Sequence, residues 1–204
     1  MIRRIGIFGG SFDPVHIGHL IIASDVFDRL DLAAVHFVLA PRPPHKVGLW
    51  ASDGDRASML ELAISPDSRF VLDLREFDRQ GPSWSVDTVE SFSAQFPGVE
   101  LYFVMGEDSL AEFHTWRSPE RILSLAHLAV ASRPGAHVSS LDLSQFSDTE
   151  RDRIHLIESP EVDISSTSIR DRIWSGRSVR YLVPEAVAEY ITRQTPYERN
   201  PQLR

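Results

Sequence analysis

The amino-acid sequence predicts an α/β architecture in which strands and helices alternate along the chain to build a parallel sheet. Three observations predict it. Short apolar runs of strand length recur between segments with helical periodicity. The first run, Ile5-Gly6-Ile7-Phe8, ends in Gly9-Gly10 and passes within a few residues into a helix-patterned stretch. The residues with chemistry to offer gather after the ends of the apolar runs, where open parallel sheets bind their ligands.

The first run reads as a buried strand, and residues 20–30 repeat their apolar side chains at helical spacing. Between them lies Gly9-Gly10-Ser11-Phe12-Asp13-Pro14-Val15-His16-Ile17-Gly18-His19. Two glycines allow the backbone close to a ligand, and the helix that follows offers free N–H groups to an anion. His16 and His19, three apart, share one face of the first helical turn. A phosphate suits this arrangement best. A metal held by Asp13, His16 and His19 is the competing use of the same residues.

The remaining elements follow in order. Residues 35–40 form a second strand ended by Pro41, and Arg42-Pro43-Pro44-His45-Lys46 is a stiff cationic loop. A helix over residues 53–64 has one apolar side, formed by Arg56, Ala57, Met59, Leu60, Leu62, Ala63 and Ile64. Residues 70–72 are a third strand, and 75–82 a charged loop punctuated by Gly and Pro. Ser85 caps a helix running through Val86, Val89, Phe92 and Phe96. Residues 101–105 make the fourth strand, closed by Gly106, and residues 107–110 open a short helix with an acidic first turn. Ser118 caps the next helix, with Pro119 at its first position, and 127–131 is a fifth strand. Residues 136–153 read as a variable loop or weakly helical excursion, and 154–157 as a last short strand. Residues 164–170 lead into a helix through Trp174, and Val183-Pro184-Glu185 opens the final one.

These alternations imply right-handed crossovers and a Rossmann-like, doubly wound parallel sheet. The 204 residues suit a single domain, 1–204, with 195–204 as a frayed tail. A net charge of −8 argues against a general nucleic-acid binder, so anionic ligands need a local cluster of cations. The chain has no cysteine, which excludes disulfide and thiolate chemistry. No apolar run approaches transmembrane length and the N-terminal stretch does not read as a signal peptide, so the cytoplasm is the expected compartment and no membrane partner is expected. A homo-oligomer is left open.

The first loop resembles the (T/S)-F-D-P-x-H-x-G-H signature of the superfamily that transfers adenylyl or cytidylyl groups. Further stretches add to it: Pro43-Pro44-His45-Lys46, Gly81-Pro82-Ser83-Trp84-Ser85-x-Asp87-Thr88, Gly106-x-Asp108-Ser109-Leu110, His114-x-Trp116, Ser132-Arg133-Pro134-Gly135 and Ile164-Ser165-Ser166-Thr167-x-Ile169-Arg170. Together, in order from Ile5 to about Ile191, they resemble bacterial nicotinate-nucleotide adenylyltransferases. Two departures touch the base pocket. Trp84-Ser85 stands where the family commonly has Tyr-Thr, and Arg117 where an aromatic is frequent.

The resemblance implies that ATP and nicotinate mononucleotide give nicotinate adenine dinucleotide and pyrophosphate, with Mg²⁺, in NAD biosynthesis. It implies catalytic roles for His16, His19, Lys46 and Arg170. ATP would meet Gly9, Gly10, Ser11, Phe12, His16, His19, Gly106, Asp108, Arg133, Ser165, Ser166, Thr167 and Arg170. The mononucleotide would meet Ser11, Phe12, Lys46, Trp84, Ser85, Trp116 and Arg117, and Mg²⁺ would be held mainly by substrate phosphates. The acceptor phosphate is largely ionised at neutral pH, so no general base is required. Alignment of two polyanions and neutralisation of charge at the α-phosphate are required. The rival readings are an adenylyltransferase for nicotinamide mononucleotide or phosphopantetheine, a metal-dependent hydrolase, and a nucleotide-binding module without turnover.

Overall fold

A computed structural model describes residues 3–44, 48–132, 143–144 and 146–197. Among them, six strands form one parallel sheet in the order β3-β2-β1-β4-β5-β6. The strands are β1 (Arg4–Gly10), β2 (Ala34–Leu39), β3 (Phe70–Asp73), β4 (Glu100–Gly106), β5 (Ala126–Ser132) and β6 (Ile154–Glu158). The connecting helices are α1 (Ile17–Leu30), α2 (Asp53–Ile64), α3 (Ser85–Gln95), α4 (Glu107–Ala111), α5 (Pro119–Leu125) and α6 (Asp148–Arg151), followed after β6 by α7 (Ser166–Trp174) and α8 (Glu185–Gln194). The strand order reverses between β1 and β4, which opens a crevice at their carboxyl ends.

Side chains on a strand alternate between the two faces of the sheet, and here the alternation sorts the core into two halves. Ile5 and Ile7 of β1, with Leu101, Phe103 and Met105 of β4, pack against α3 and α5. Phe8, Phe37, Tyr102 and Val104 pack on the opposite face, against α1, α2 and α8. The doubly wound reading of the sequence is therefore correct. Gly6 is required by packing, because a Cβ there would lie 2.9 Å from Leu32 Cδ1.

Several boundaries differ from expectation. Helix α1 begins at Ile17, so His16 takes the N-cap position and stands before the first helical turn, not within it. Trp84, in extended conformation, occupies the N-cap of α3, and Ser85 is its first helical residue. Ser118 is the N-cap of α5 but makes no side-chain cap hydrogen bond there. Of the excursion at 136–153, residues 136–142 and 145 lie outside the described residues; the rest includes the one-turn helix α6. Of the tail expected at 195–204, residues 198–204 lie outside the described residues, and Tyr197 is packed rather than frayed. Tyr197 is buried, its carbonyl accepts a 2.8 Å bond from Trp174 Nε1, and its hydroxyl lies 3.9 Å from Met59 Sδ. A large aromatic that fills a gap between α2 and α7 outweighs the tendency of a terminus to fray.

The loops after β1 and β2 are clamped from below by one buried cation. Arg56, fully buried on α2, donates from Nη1 to the carbonyls of Ser11 (2.7 Å) and Ala40 (2.9 Å). Its Nη2 pairs with Asp53 at 2.6 Å. Replacing Arg56 with Met leaves two carbonyls without donors, so Arg56→Met should destabilise the fold by about 2–4 kcal/mol. Urea unfolding measures this, and a loss below about 0.5 kcal/mol would show that the clamp is dispensable.

Candidate active site

The loop after β1 is shaped by one residue in left-handed conformation. Phe12 has φ 43° and turns its ring into the core against Phe8 and Phe37, with centroid separations of 5.7 and 5.6 Å. Gly10 makes room for it, since a Cβ there would lie 2.9 Å from Phe12 Cζ. The ring of Phe12 is therefore a core element, and only its backbone can face a ligand. Asp13 is buried, and its two oxygens accept from the N–H groups of Trp50 (2.9 Å) and Ala51 (3.1 Å). A carboxylate occupied in this way is not set up as a metal ligand, which counts against the hydrolase reading.

The two motifs at opposite ends of the sequence meet at this loop. Arg170 Nη1 donates to the carbonyl of Asp13 at 2.6 Å, and Ser166 Oγ to that of Pro14 at 2.9 Å. Arg170 Nη2 also donates to Thr167 Oγ1 at 3.0 Å. Ser165 caps α7 by accepting from Ser168 N. The hydroxyls of Ser165 and Ser166 are thus engaged in holding the loop and helix, and phosphate contacts from this segment would come from backbone N–H groups, Thr167 and Arg170.

His16 and His19 form a stacked pair, with ring centroids 3.6 Å apart and an interplanar angle of 29°. Gly18 leaves space for this, because a Cβ there would lie 3.1 Å from His16 Nδ1. The N–H of His16 donates to His19 Nδ1 at 3.1 Å, so the proton of the His19 ring resides on Nε2. Burial lowers the pKa of His16 to about 4, leaving a neutral imidazole at pH 7. Its Nδ1 is buried with no partner. In the window from pH 6.5 down to about 4 the unfolded chain binds a proton at His16 that the folded one does not. Stability should therefore fall on acidification across that window, by about 2 kcal/mol at pH 5 from this group. His127, also lowered to about 4 by burial, adds to the same trend. Urea midpoints at pH 7 and 5 test this, and His16→Gln should reduce the difference; an equal difference in the variant would count against the assignment.

Two cavities flank the end of β4. The first, of about 330 Å³, is lined by Gly9, Gly10 and Ser11 on one side and by Trp84, Ser85, Trp116 and Arg117 on the other. The Arg117 guanidinium carbon lies 5.4 Å from the Trp84 ring centroid, and Trp116 packs edge-on to Phe103 at 5.8 Å. The second, of about 340 Å³, is lined by Gly18, Ile22 and Asp108, and by Ser132 and Ser159 at the ends of β5 and β6. Gly106 lines the first cavity, and Glu107 with Asp108 the second, so one turn of chain separates the two. Among the described residues, no Cβ contact restrains Gly106 from the protein side, and only Phe103 Cζ, at 3.9 Å, would meet one at Gly9. Of the sequence-predicted residues, Lys46 and Arg133 lie outside the described residues. Three residues not expected as site residues line these cavities with buried, unpartnered oxygens: Glu76 in the first, Ser132 and Ser159 in the second. Ser132 opens the Ser132–Gly135 stretch noted in the sequence, whereas no sequence signal distinguishes Glu76 and Ser159 from loop and strand-end polar residues.

Comparison with known proteins agrees with this geometry. The cytidylyltransferase-like family model matches residues 7–172. The chain is 41% identical over 195 residues to a probable nicotinate-nucleotide adenylyltransferase of Thermomicrobium roseum, covering 95% of this chain and 91% of that protein. It is 43% identical over 194 residues to the corresponding probable enzyme of Thermus thermophilus, covering 95% and 99%. Its fold matches that of Plasmodium falciparum nicotinic acid mononucleotide adenylyltransferase complexed with NaAD, with a TM-score of 0.75 at 17% identity over 97% and 98% of the two chains. A loop carrying Asp13, His16 and His19 at the switch point of a 3-2-1-4-5-6 sheet, and relatives matched over nearly their whole length, place this chain in the nicotinate-nucleotide adenylyltransferase family.

Proposed function

We propose that this chain transfers the adenylyl group of ATP to nicotinate mononucleotide, forming nicotinate adenine dinucleotide and releasing pyrophosphate. The observation that carries the reading is the pair of cavities on either side of the Gly106–Asp108 turn, with the first loop lining one and α1 the other. Two nucleotide halves seated there would bring their phosphates together at Ser11, His16 and His19. The aromatic walls Trp84 and Trp116 favour a flat pyridine ring over a flexible pantetheine chain.

In this mechanism the residues align and neutralise. The Nε2 hydrogen of His19 and the neutral ring of His16 donate to α- and β-phosphate oxygens as negative charge grows on them. The backbone of the first loop cradles the same oxygens, and Arg170 with Thr167 receives the β- and γ-phosphates and then the departing pyrophosphate. Lys46, by the sequence reading, supports the triphosphate or the incoming phosphate. Mg²⁺ would arrive with ATP, held by phosphate oxygens and water as a hard cation prefers, since Asp13 is occupied by amides. It would supply neutralising charge to the triphosphate. Exposed Asp108 lines the cavity assigned to the adenosine half.

Among the described residues, no helix is long and apolar enough to cross a membrane. The substrate partners are accordingly sought among small anionic nucleotides. Continuous pyrophosphate release with ATP and nicotinate mononucleotide tests the reading, and its absence would favour a binding module without turnover.

Three further outcomes follow from the residue roles. His19→Ala should lower kcat by about 10²–10³-fold and change KM for ATP less, because the contact strengthens in the transition state; an unchanged kcat removes His19 from catalysis. Incubation with α-labelled ATP and no acceptor should leave the protein unlabelled, because the acceptor phosphate attacks directly; stable label on a histidine would contradict this. The acid should be preferred over the amide mononucleotide by at least about 10² in kcat/KM, since Ser85 and the first turn of α3 offer donors that would face the NH₂ of the amide. Comparable values for the two would show that the pocket reads the ring and not its substituent.

A further inference from the structure

A carboxylic acid lies in the wall of the first cavity, and none of the steps above uses it. Glu76 precedes α3 in the chain and is 6% exposed. It lines the cavity together with Ser83, Trp84, Ser85 and Thr88. Thr88 Oγ1 donates a short hydrogen bond to Glu76 Oε1, and the same Thr88 oxygen accepts from Arg79 Nη1 at 2.9 Å. Glu76 Oε2 is buried and has no partner. A carboxyl group placed beside the α3 N-terminus, where the substrate's own carboxylate is expected, sits where a second negative charge would be most costly.

We propose that Glu76 is a specificity-determining residue that tunes the choice between acid and amide mononucleotides through its own charge. The proposal rests on the assignment of this cavity to the mononucleotide. With Glu76 uncharged, the first turn of α3 and Ser85 receive the substrate carboxylate unopposed. With Glu76 ionised, the two carboxylates repel, whereas the uncharged carboxamide is little affected. Burial raises the Glu76 pKa, while the hydrogen bonds from Thr88 and Ser83 and the charge of Arg79 lower it, and Asp73 raises it. The other charges around the cavity are Arg117 above Trp84 and Asp87 in the first turn of α3. The residue acts through this field and through Thr88, without touching the reacting atoms.

The test is calorimetric binding of nicotinate and nicotinamide mononucleotides across the whole pH range in which the protein stays folded, read as the ratio of the two affinities. The ratio cancels the titration of the phosphate that both ligands share. In the wild type the preference for the acid should fall on the order of tenfold as pH rises, because ionised Glu76 opposes only the acid. Glu76→Gln keeps an acceptor for Thr88 but cannot ionise, and its ratio should stay flat. Thr88→Val removes a hydrogen bond that favours the ionised form, so its fall should move to higher pH. A flat wild-type ratio, an equal fall in Glu76→Gln, or an unmoved midpoint in Thr88→Val overturns the proposal. Binding of neither mononucleotide would overturn the cavity assignment as well, whereas binding of both with a flat ratio overturns the role of Glu76 alone.

Discussion

Asp13 joins three separate stretches of chain, and the rest of the site depends on that junction. Its carboxylate takes the amides of Trp50 and Ala51, and its carbonyl takes the guanidinium of Arg170. The first loop is thereby fixed to the entry of α2 on one side and to α7 on the other. Arg56 completes the frame from beneath by binding the carbonyls of Ser11 and Ala40. The bonds from Ala51 and Arg56 are buried, so each of these that is lost leaves an unsatisfied partner in a place water does not reach. The loop is thereby held in one conformation, the condition that the proposed binding of a polyanion by its backbone and histidines requires.

The sheet was legible because its information is local and periodic. Apolar runs of four to seven residues between amphipathic helices specify a parallel sheet, and the switch point follows from where the glycine-rich turns fall. The first loop was legible because its spacing is strict, and the structure adds what spacing cannot carry. Arg56 fell on the apolar side of its helix by periodicity, yet its partners come from two other loops. Ser166 looked like a phosphate ligand in sequence, but its hydroxyl is held by Pro14. Glu76 looked like one charge among several in a loop between β3 and α3. Only the three-dimensional wall around it distinguishes it from its solvated neighbours. Tyr197 was hidden for the same reason, since a terminal aromatic reveals its docking site only when α2 and α7 have come together.

Neutral imidazoles suit a chain whose overall charge is −8. A buried histidinium beside the ligand would bind the ground-state triphosphate strongly and gain little more as the reaction proceeds. The stacked pair offers N–H dipoles instead, and dipoles of fixed direction discriminate between oxygens that differ in developing charge. In the proposed mechanism the cationic contribution falls to Arg170 and Lys46, so attraction and alignment are performed by different residues.

Gly9 and Gly106 carry a consequence for how tolerance to mutation should be judged. Among the described residues neither meets the protein closely: an added methyl group at Gly9 would find one ring atom at 3.9 Å, and at Gly106 nothing within 4 Å. In the proposed mode of binding, the space each leaves belongs to the small molecule and not to the fold. A screen that scores folding, solubility or expression would therefore class both positions as indifferent, while a screen that scores turnover would class them as intolerant. Chains altered at these two glycines would be intact proteins emptied of their occupant, useful for separating what the scaffold contributes from what the ligand contributes.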